Sequence, residues 1–155
     1  MAIAGSPAPG VQCDSEVRRA RFEDVDRVVP AAAAMFTEEI GYPPYTGSGQ
    51  VYRQSVEALV RAGHTFVRMV DGEVMFKADV GSVALGVAQI QGVWVAPRWR
   101  GHGLAVPAMA AVVEQVRAEI APVATLYVND FNMPARATYA RVGFTEIGSF
   151  ATVLL

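Results

Sequence analysis

The chain has 155 residues, 52% of them hydrophobic and 18% charged, with a formal net charge of −2. That length suits one domain that buries its own core, and charges of both signs interspersed exclude the basic stripe of a phosphate-tracking nucleic-acid binder. No apolar run reaches the roughly 18 residues of a membrane span, and Met1 to Gly10 has neither the basic nor the apolar region of a secretory signal. The single Cys13 forms no internal disulfide, so the expectation is a cytoplasmic protein with no membrane or nucleic-acid partner.

Residues 1–15 are rich in Ala, Gly, Ser and Pro and read as a flexible segment before a domain at 16–155, with Cys13 as a surface thiol. Val17–Ala20 reads as a short strand. Glu23 and Asp24 then open a helical stretch through Val25, Val28, Val29, Ala32 and Phe36, kinked or restarted at Pro30. Gly41 to Gly49 is a loop with Pro43-Pro44, and Val51, Val56, Leu59 and Val60 mark a second helix ending near Gly63. His64–Val70 and Glu73–Val80 flank Asp71-Gly72, a two-residue hairpin signal. Val87–Val95 is a third strand, where Gly92 signals a bulge or a close backbone approach. Pro97–Gly103 is a Gly-rich turn, Leu104–Ile120 an amphipathic helix stopped by Pro122, and Leu126–Val128 a short strand. Pro134–Arg141 is a short helix closed by Gly143, and Glu146–Leu155 a final strand or strand pair. This order gives an α/β (α+β) domain around one sheet.

The chemistry concentrates in Val93-Trp94-Val95-Ala96-Pro97-Arg98-Trp99-Arg100-Gly101-His102-Gly103-Leu104-Ala105. Strand, glycine turn and helix in this order aim backbone N–H groups at one point before a helix N-terminus. There free amides and the helix dipole both favour an anion. Arg98 and Arg100 add charge for a phosphate group. No Lys-Ser/Thr follows, so this is not a Walker loop, and the third glycine of a dinucleotide fingerprint is missing. A bland strand-to-helix connection remains open on these residues alone.

A second segment accompanies it: Asn132, Ala135, Tyr139, Gly143 and Phe144. Together the two resemble the GNAT superfamily of N-acetyltransferases, whose loop pattern Gln/Arg-x-x-Gly-x-Gly/Ala is matched by Arg98-x-x-Gly101-x-Gly103. The shifted register Arg100-x-x-Gly103-x-Ala105 also fits. The element order matches from about Val17 to Leu155. Met35–Glu39, Gln91–Trp94 and Ser149–Leu154 narrow the likeness to GNAT domains forming the C-terminal part of two-domain proteins.

The resemblance implies a mixed, mostly antiparallel sheet flanked by helices, with strands splayed around acetyl-CoA as acyl donor and an amine, small molecule or peptide, as acceptor. A homodimer is compatible with it. The strand Val93-Trp94-Val95 would carry the pantetheine arm on the backbone of Val93 and Val95, with Trp94 on the opposite side of the sheet, in the core or at a dimer surface. Arg98, Arg100, Gly101, His102, Gly103, Leu104 and Ala105 would hold the pyrophosphate. Asn132 reads as a helix N-cap that is also compatible with a CoA contact. Tyr139 is the general acid for the departing sulfur, against a core Tyr bonded locally.

Relatives that place a Glu on the strand before the loop find Gln89 and Gln91 here, which are not bases. Glu38 is the carboxylate singled out instead, with Glu39 beside it, against a solvated helix end. The missing strand carboxylate also motivates a CoA-binding module without turnover. Two His so far apart in sequence, with no third ligand, give no metal site.

Overall fold

Two tight turns build the centre of the fold. Asp71 (φ 50°) and Gly72 (φ 75°), then Leu85 (φ 52°) and Gly86 (φ 76°), take the left-handed backbone that suits a two-residue hairpin. They fold β3 (Thr65–Val70), β4 (Glu73–Ala84) and β5 (Val87–Val95) into an antiparallel meander. The first turn is the one expected at Asp71-Gly72. The second carries β4 beyond the expected Val80, because Leu85 is not a residue that advertises a turn.

The computed structural model describes residues 1–151. Its six-stranded sheet has the order β1-β6-β5-β4-β3-β2, with β1 at Ala2–Ile3, β2 at Arg18–Arg19 and β6 at Val123–Leu126. Only β5 and β6 pair in parallel, joined by a helical crossover. The chain is therefore the expected α/β domain around a mixed, mostly antiparallel sheet.

Alternation along β3 sends Phe66 to one face and Val67 to the other. On the Val67 side pack α1 (Val25–Ile40) and α2 (Gln50–Arg61), through Val25, Val28, Ala32, Val56 and Val60. On the Phe66 side pack α3 (Ala105–Glu119) and α4 (Met133–Val142). Met109, Val112, Val113 and Val116 stand at helical spacing on α3 and are fully buried, each worth about 1.5–3 kcal/mol of transfer free energy.

Several expectations need correction. The N-terminal segment is not loose: Ala2 and Ile3 pair with Thr125 and Ala124, and the Met1 ammonium donates to the Leu126 carbonyl at 2.9 Å. The free edge of β6 needs partners for its backbone groups, and an Ala-Ile pair supplies them with one buried side chain. Cys13 is half-buried against the core; burial pushes its thiol up to about 11, with the Glu114 hydrogen bond and charge adding to it.

Helix α1 runs through Pro30, which is exposed and six residues into the helix, so only the bond to Asp26 is lost. The strand expected at Leu126–Val128 is formed by Val123–Leu126 instead. The strand expected at Glu146–Leu155 does not form over 146–151: Thr145 bridges Ala2, and β1 offers a ladder of only two residues. Residues 152–155 of that expectation lie outside the described residues.

Candidate active site

The site begins where two strands part. Parallel pairing of β5 with β6 ends at Ile90 and Leu126. From Asp79↔Gln91 to Lys77↔Trp94, the β4–β5 ladder sets three steps of β5 against two of β4, a bulge centred on Gly92. Gly92 has φ 59°, and a Cβ there would lie 2.6 Å from Asp79 Oδ2. Sequence reading placed a bulge or close approach at this glycine, and both occur. Beyond it, a cleft of about 1620 Å³ opens, with Val93 and Val95 on one side and Tyr127 to Asn132 on the other.

The loop after β5 closes one end of the cleft. Trp99 and Arg100 donate their N–H groups back to Ala96 and Pro97, forming a single 3-10 turn at Pro97–Trp99. Gly101 (φ 75°) and Gly103 (φ 74°) then turn the chain into α3, and no protein atom lies within 4 Å of where either Cβ would stand. No side chain caps α3. Its first N–H groups therefore lack intrahelical partners, and Leu104, Ala105 and Val106 bring that positive end to the cleft wall.

The arginines divide. Arg100 lines the cleft, donating from Nε to the Val95 carbonyl at 2.9 Å and from Nη2 to Glu38 Oε2 at 2.7 Å. Arg98 lies over the Trp99 ring and pairs with Glu73 at 2.9 Å, apart from the cleft wall. The His102 ring also stands apart, with Nδ1 2.9 Å from the Arg100 carbonyl oxygen. Among the described residues, the loop thus meets the cleft through backbone amides, its glycines and Arg100, and not through Arg98 or His102.

Tyr139 projects from α4 into the cleft wall, 7% exposed, edge-on to Phe144. Burial pushes its phenol up to about 12, and the charge of Glu39 adds to the shift. Asn132 caps α4 by accepting the Ala135 N–H at 3.2 Å, which bears out the cap reading, and it also lines the cleft. Trp94 packs on the α1–α2 side, opposite Val93 and Val95, and its indole N–H donates to Glu38 at 3.3 Å.

The two neighbouring carboxylates at the end of α1 differ in kind. Both Glu38 oxygens are engaged, one by Arg100 and one by Trp94. The Glu39 side chain makes no hydrogen bond or ion pair among the described residues. It borders both the cleft and a smaller hollow of about 320 Å³ between α1, α2 and the bulge. Glu39 is exposed at the end of α1. Protein nevertheless crowds its carboxyl enough that burial raises its pKa, with Lys77 opposing and Glu38 adding.

Beneath the hollow lies a feature that sequence reading did not single out. Lys77 is fully buried; its ammonium donates to Asp79 Oδ2 at 2.6 Å and to the Gly92 carbonyl at 3.0 Å. Thr65 Oγ1 donates to Asp79 Oδ1 at 2.9 Å. The available signal was one lysine and one aspartate on an otherwise apolar strand, Val74 to Val80. Tyr45 reaches the hollow only through Tyr52, against which it packs at 5.5 Å, and Tyr42 packs against Phe36. Among the described residues no group of three or more His, Cys, Asp or Glu is placed to hold a metal, and no helix is long and apolar enough to cross a membrane.

A family model described as the acetyltransferase (GNAT) family matches residues 32–144. No curated protein sequence gives a significant match. An acetyltransferase of the GNAT family from Colwellia psychrerythraea superposes with a TM-score of 0.71 at 20% identity, over 90% of this chain and 48% of that one. This chain therefore spans about half the length of that protein. A predicted acetyltransferase from Clostridium acetobutylicum, solved with acetyl-CoA, gives 0.69 at 13% identity over 89% of this chain and 94% of its own. The aminoglycoside N-acetyltransferase AAC(6')-Iy in complex with CoA gives 0.70 at 18% identity, over 90% and 93%. At these identities the likeness is one of fold.

Proposed function

The chain belongs to the acetyltransferase (GNAT) family, and from that membership and the cleft's geometry we propose that it moves an acetyl group from acetyl-CoA to a primary amine. Tyr139 is the general acid and Glu39 the general base. One observation carries this reading. The parted strands, the uncapped start of α3 and the Tyr139 phenol all border one cleft, with Glu39 at its edge.

The residues present fit a CoA thioester. After Ile90, β5 has backbone groups free of β6, so Val93 and Val95 suit an extended amide-bearing arm added as a strand. Open space at Gly101 and Gly103, next to the amides that begin α3, suits a pyrophosphate. Arg100 contributes charge at the same wall, while Arg98 and His102 have no such position. Bound acetyl-CoA supplies the activated acyl group.

The chain's own residues do the rest. A β5 amide beside the bulge donates to the acyl oxygen as negative charge develops there. Glu39 accepts the proton of the attacking amine, a role its raised pKa favours and the engaged oxygens of Glu38 do not. Tyr139 holds its proton throughout the neutral range and gives it to the leaving sulfur. Positioned acids and bases of this kind are worth about 10²–10⁴ in rate each.

A thiol-release assay with acetyl-CoA across a panel of primary amines tests the proposal. Amine-dependent CoA release, lost in Tyr139→Phe, is the expected result. Tight CoA binding with no turnover of any amine would instead make the chain a CoA-binding module.

A further inference from the structure

We infer that the acceptor is a small monocationic amine with an apolar body, seated in the hollow between α1, α2 and the β4–β5 bulge, and preferred over polycationic amines. This rests on the acetyl-transfer reading above and narrows its substrate.

The charges around one cavity decide the preference. The hollow is walled by Met35, Val56 and Leu59, with Tyr52 beside them. Two carboxylates border it, Asp79 and Glu39. The charge of Asp79 is already balanced by the buried Lys77 ammonium, 2.6 Å from one oxygen, while the other oxygen accepts the Thr65 hydroxyl at 2.9 Å. Glu38, next in the chain, is committed to Arg100. Farther along the same helices, Asp26 and Glu57 are committed to Arg53. Among the described residues, Glu39 is left as the single carboxylate at the hollow with no ion-pair partner, and it also borders the cleft that holds Tyr139.

One free negative charge recognises one ammonium. A second ammonium brought into the hollow would be stripped of water against Met35, Val56 and Leu59 with no counter-charge, which is costly. The volume bears on size alone and disfavours a body as large as kanamycin. At about 320 Å³ the hollow is at the small end of ligand sites. At about 30 Å³ per water-sized group it takes a body of roughly ten non-hydrogen atoms. The lysine that neutralises Asp79 thus decides specificity from beneath the floor: with Asp79 free, the same walls would carry two charges and suit a dication.

The test compares phenethylamine, spermidine and kanamycin as probes, by calorimetric binding to the CoA-loaded protein and by kcat/KM in thiol release. It is run on the wild-type chain and on Ser55→Trp, a substitution at an exposed α2 position that borders the hollow. Phenethylamine is expected to exceed both polyamines at least tenfold in kcat/KM. Its affinity is expected to fall at least tenfold in Ser55→Trp while acetyl-CoA affinity holds. Preference for spermidine or kanamycin, or phenethylamine binding that ignores Ser55→Trp, would overturn the inference. If no amine is acetylated, binding decides: phenethylamine binding lost in Ser55→Trp supports the inference while the transfer reading fails, and absent phenethylamine binding overturns it.

Discussion

Arg100 and Glu38, 62 residues apart in the chain, meet at 2.7 Å and lock the glycine loop to the end of α1. Both side chains are nearly half exposed, so the pair adds only about 0–1 kcal/mol to stability. Its consequence is geometric. It holds Glu38 against the loop and leaves Glu39 as the carboxylate facing the hollow. Glu39→Gln is therefore expected to lower kcat by about 10²–10⁴ with little change in the KM for acetyl-CoA. Glu38→Gln is expected chiefly to raise that KM, because it frees Arg100. Steady-state kinetics of the two variants decide; the reverse pattern would return the base to Glu38.

The pH dependence follows from two raised pKa values. As the proposed base, Glu39 acts when ionised, so kcat is expected to rise with pH through a value above that of an ordinary glutamate. As the proposed acid, Tyr139 acts when protonated, and at about 12 it loses its proton only far into the alkaline range. The kcat profile is expected to rise in the acid range and stay flat past pH 10. Tyr139→Phe is expected to lower the plateau by about 10²–10⁴ while the CoA dissociation constant stays nearly unchanged. A falling limb near neutrality would remove Tyr139 from the acid role.

Gly103→Val separates ligand space from protein space. At φ 74° a branched residue is strained by roughly 1–3 kcal/mol, yet its Cβ meets no protein atom. Modest loss of Tm with abolition of CoA binding is expected, measured by calorimetry on the folded variant. Normal CoA affinity would move the pyrophosphate elsewhere.

The buried Lys77–Asp79 pair predicts a double-mutant result. Lys77→Met leaves the Asp79 carboxylate buried without its cation and is expected to cost about 3–5 kcal/mol in urea unfolding. Adding Asp79→Leu removes the stranded charge, and the double variant is expected to regain most of that loss. Additive losses would show that the pair is not energetically coupled.

Cys13 gives a chemical check on the docked N-terminal segment. With its thiol held at about 11, the thiolate is scarce at pH 8, so alkylation by iodoacetamide is expected to run at least tenfold slower than for a free thiol of pKa about 8.5. Full reactivity in the folded protein would mean that the segment is not docked.

Local backbone chemistry was legible in the amino-acid order. Asp71-Gly72 and Gly92 announced a hairpin and a bulge, because few other residues tolerate those dihedrals. The α3 periodicity marked its buried stripe, and Gly101 with Gly103 marked the tight turn into that helix. Asn132 and Tyr139 were found through the spacing of a known motif. What the order of residues left open depends on contacts between distant segments. Glu38 and Glu39 are equivalent in sequence, and only the arrival of Arg100 and Trp94 distinguishes them. Ala2 and Ile3 look like a loose end until the bare edge of β6 is present, and Arg98 looks like an anion ligand until Glu73 captures it. The amino-acid sequence by itself determined where the chain turns and which faces are apolar, because dihedral preference and periodicity are properties of neighbouring residues. Only the tertiary structure decided which charges are neutralised and which one remains free at the hollow, because ion pairing depends on distances set by the whole fold.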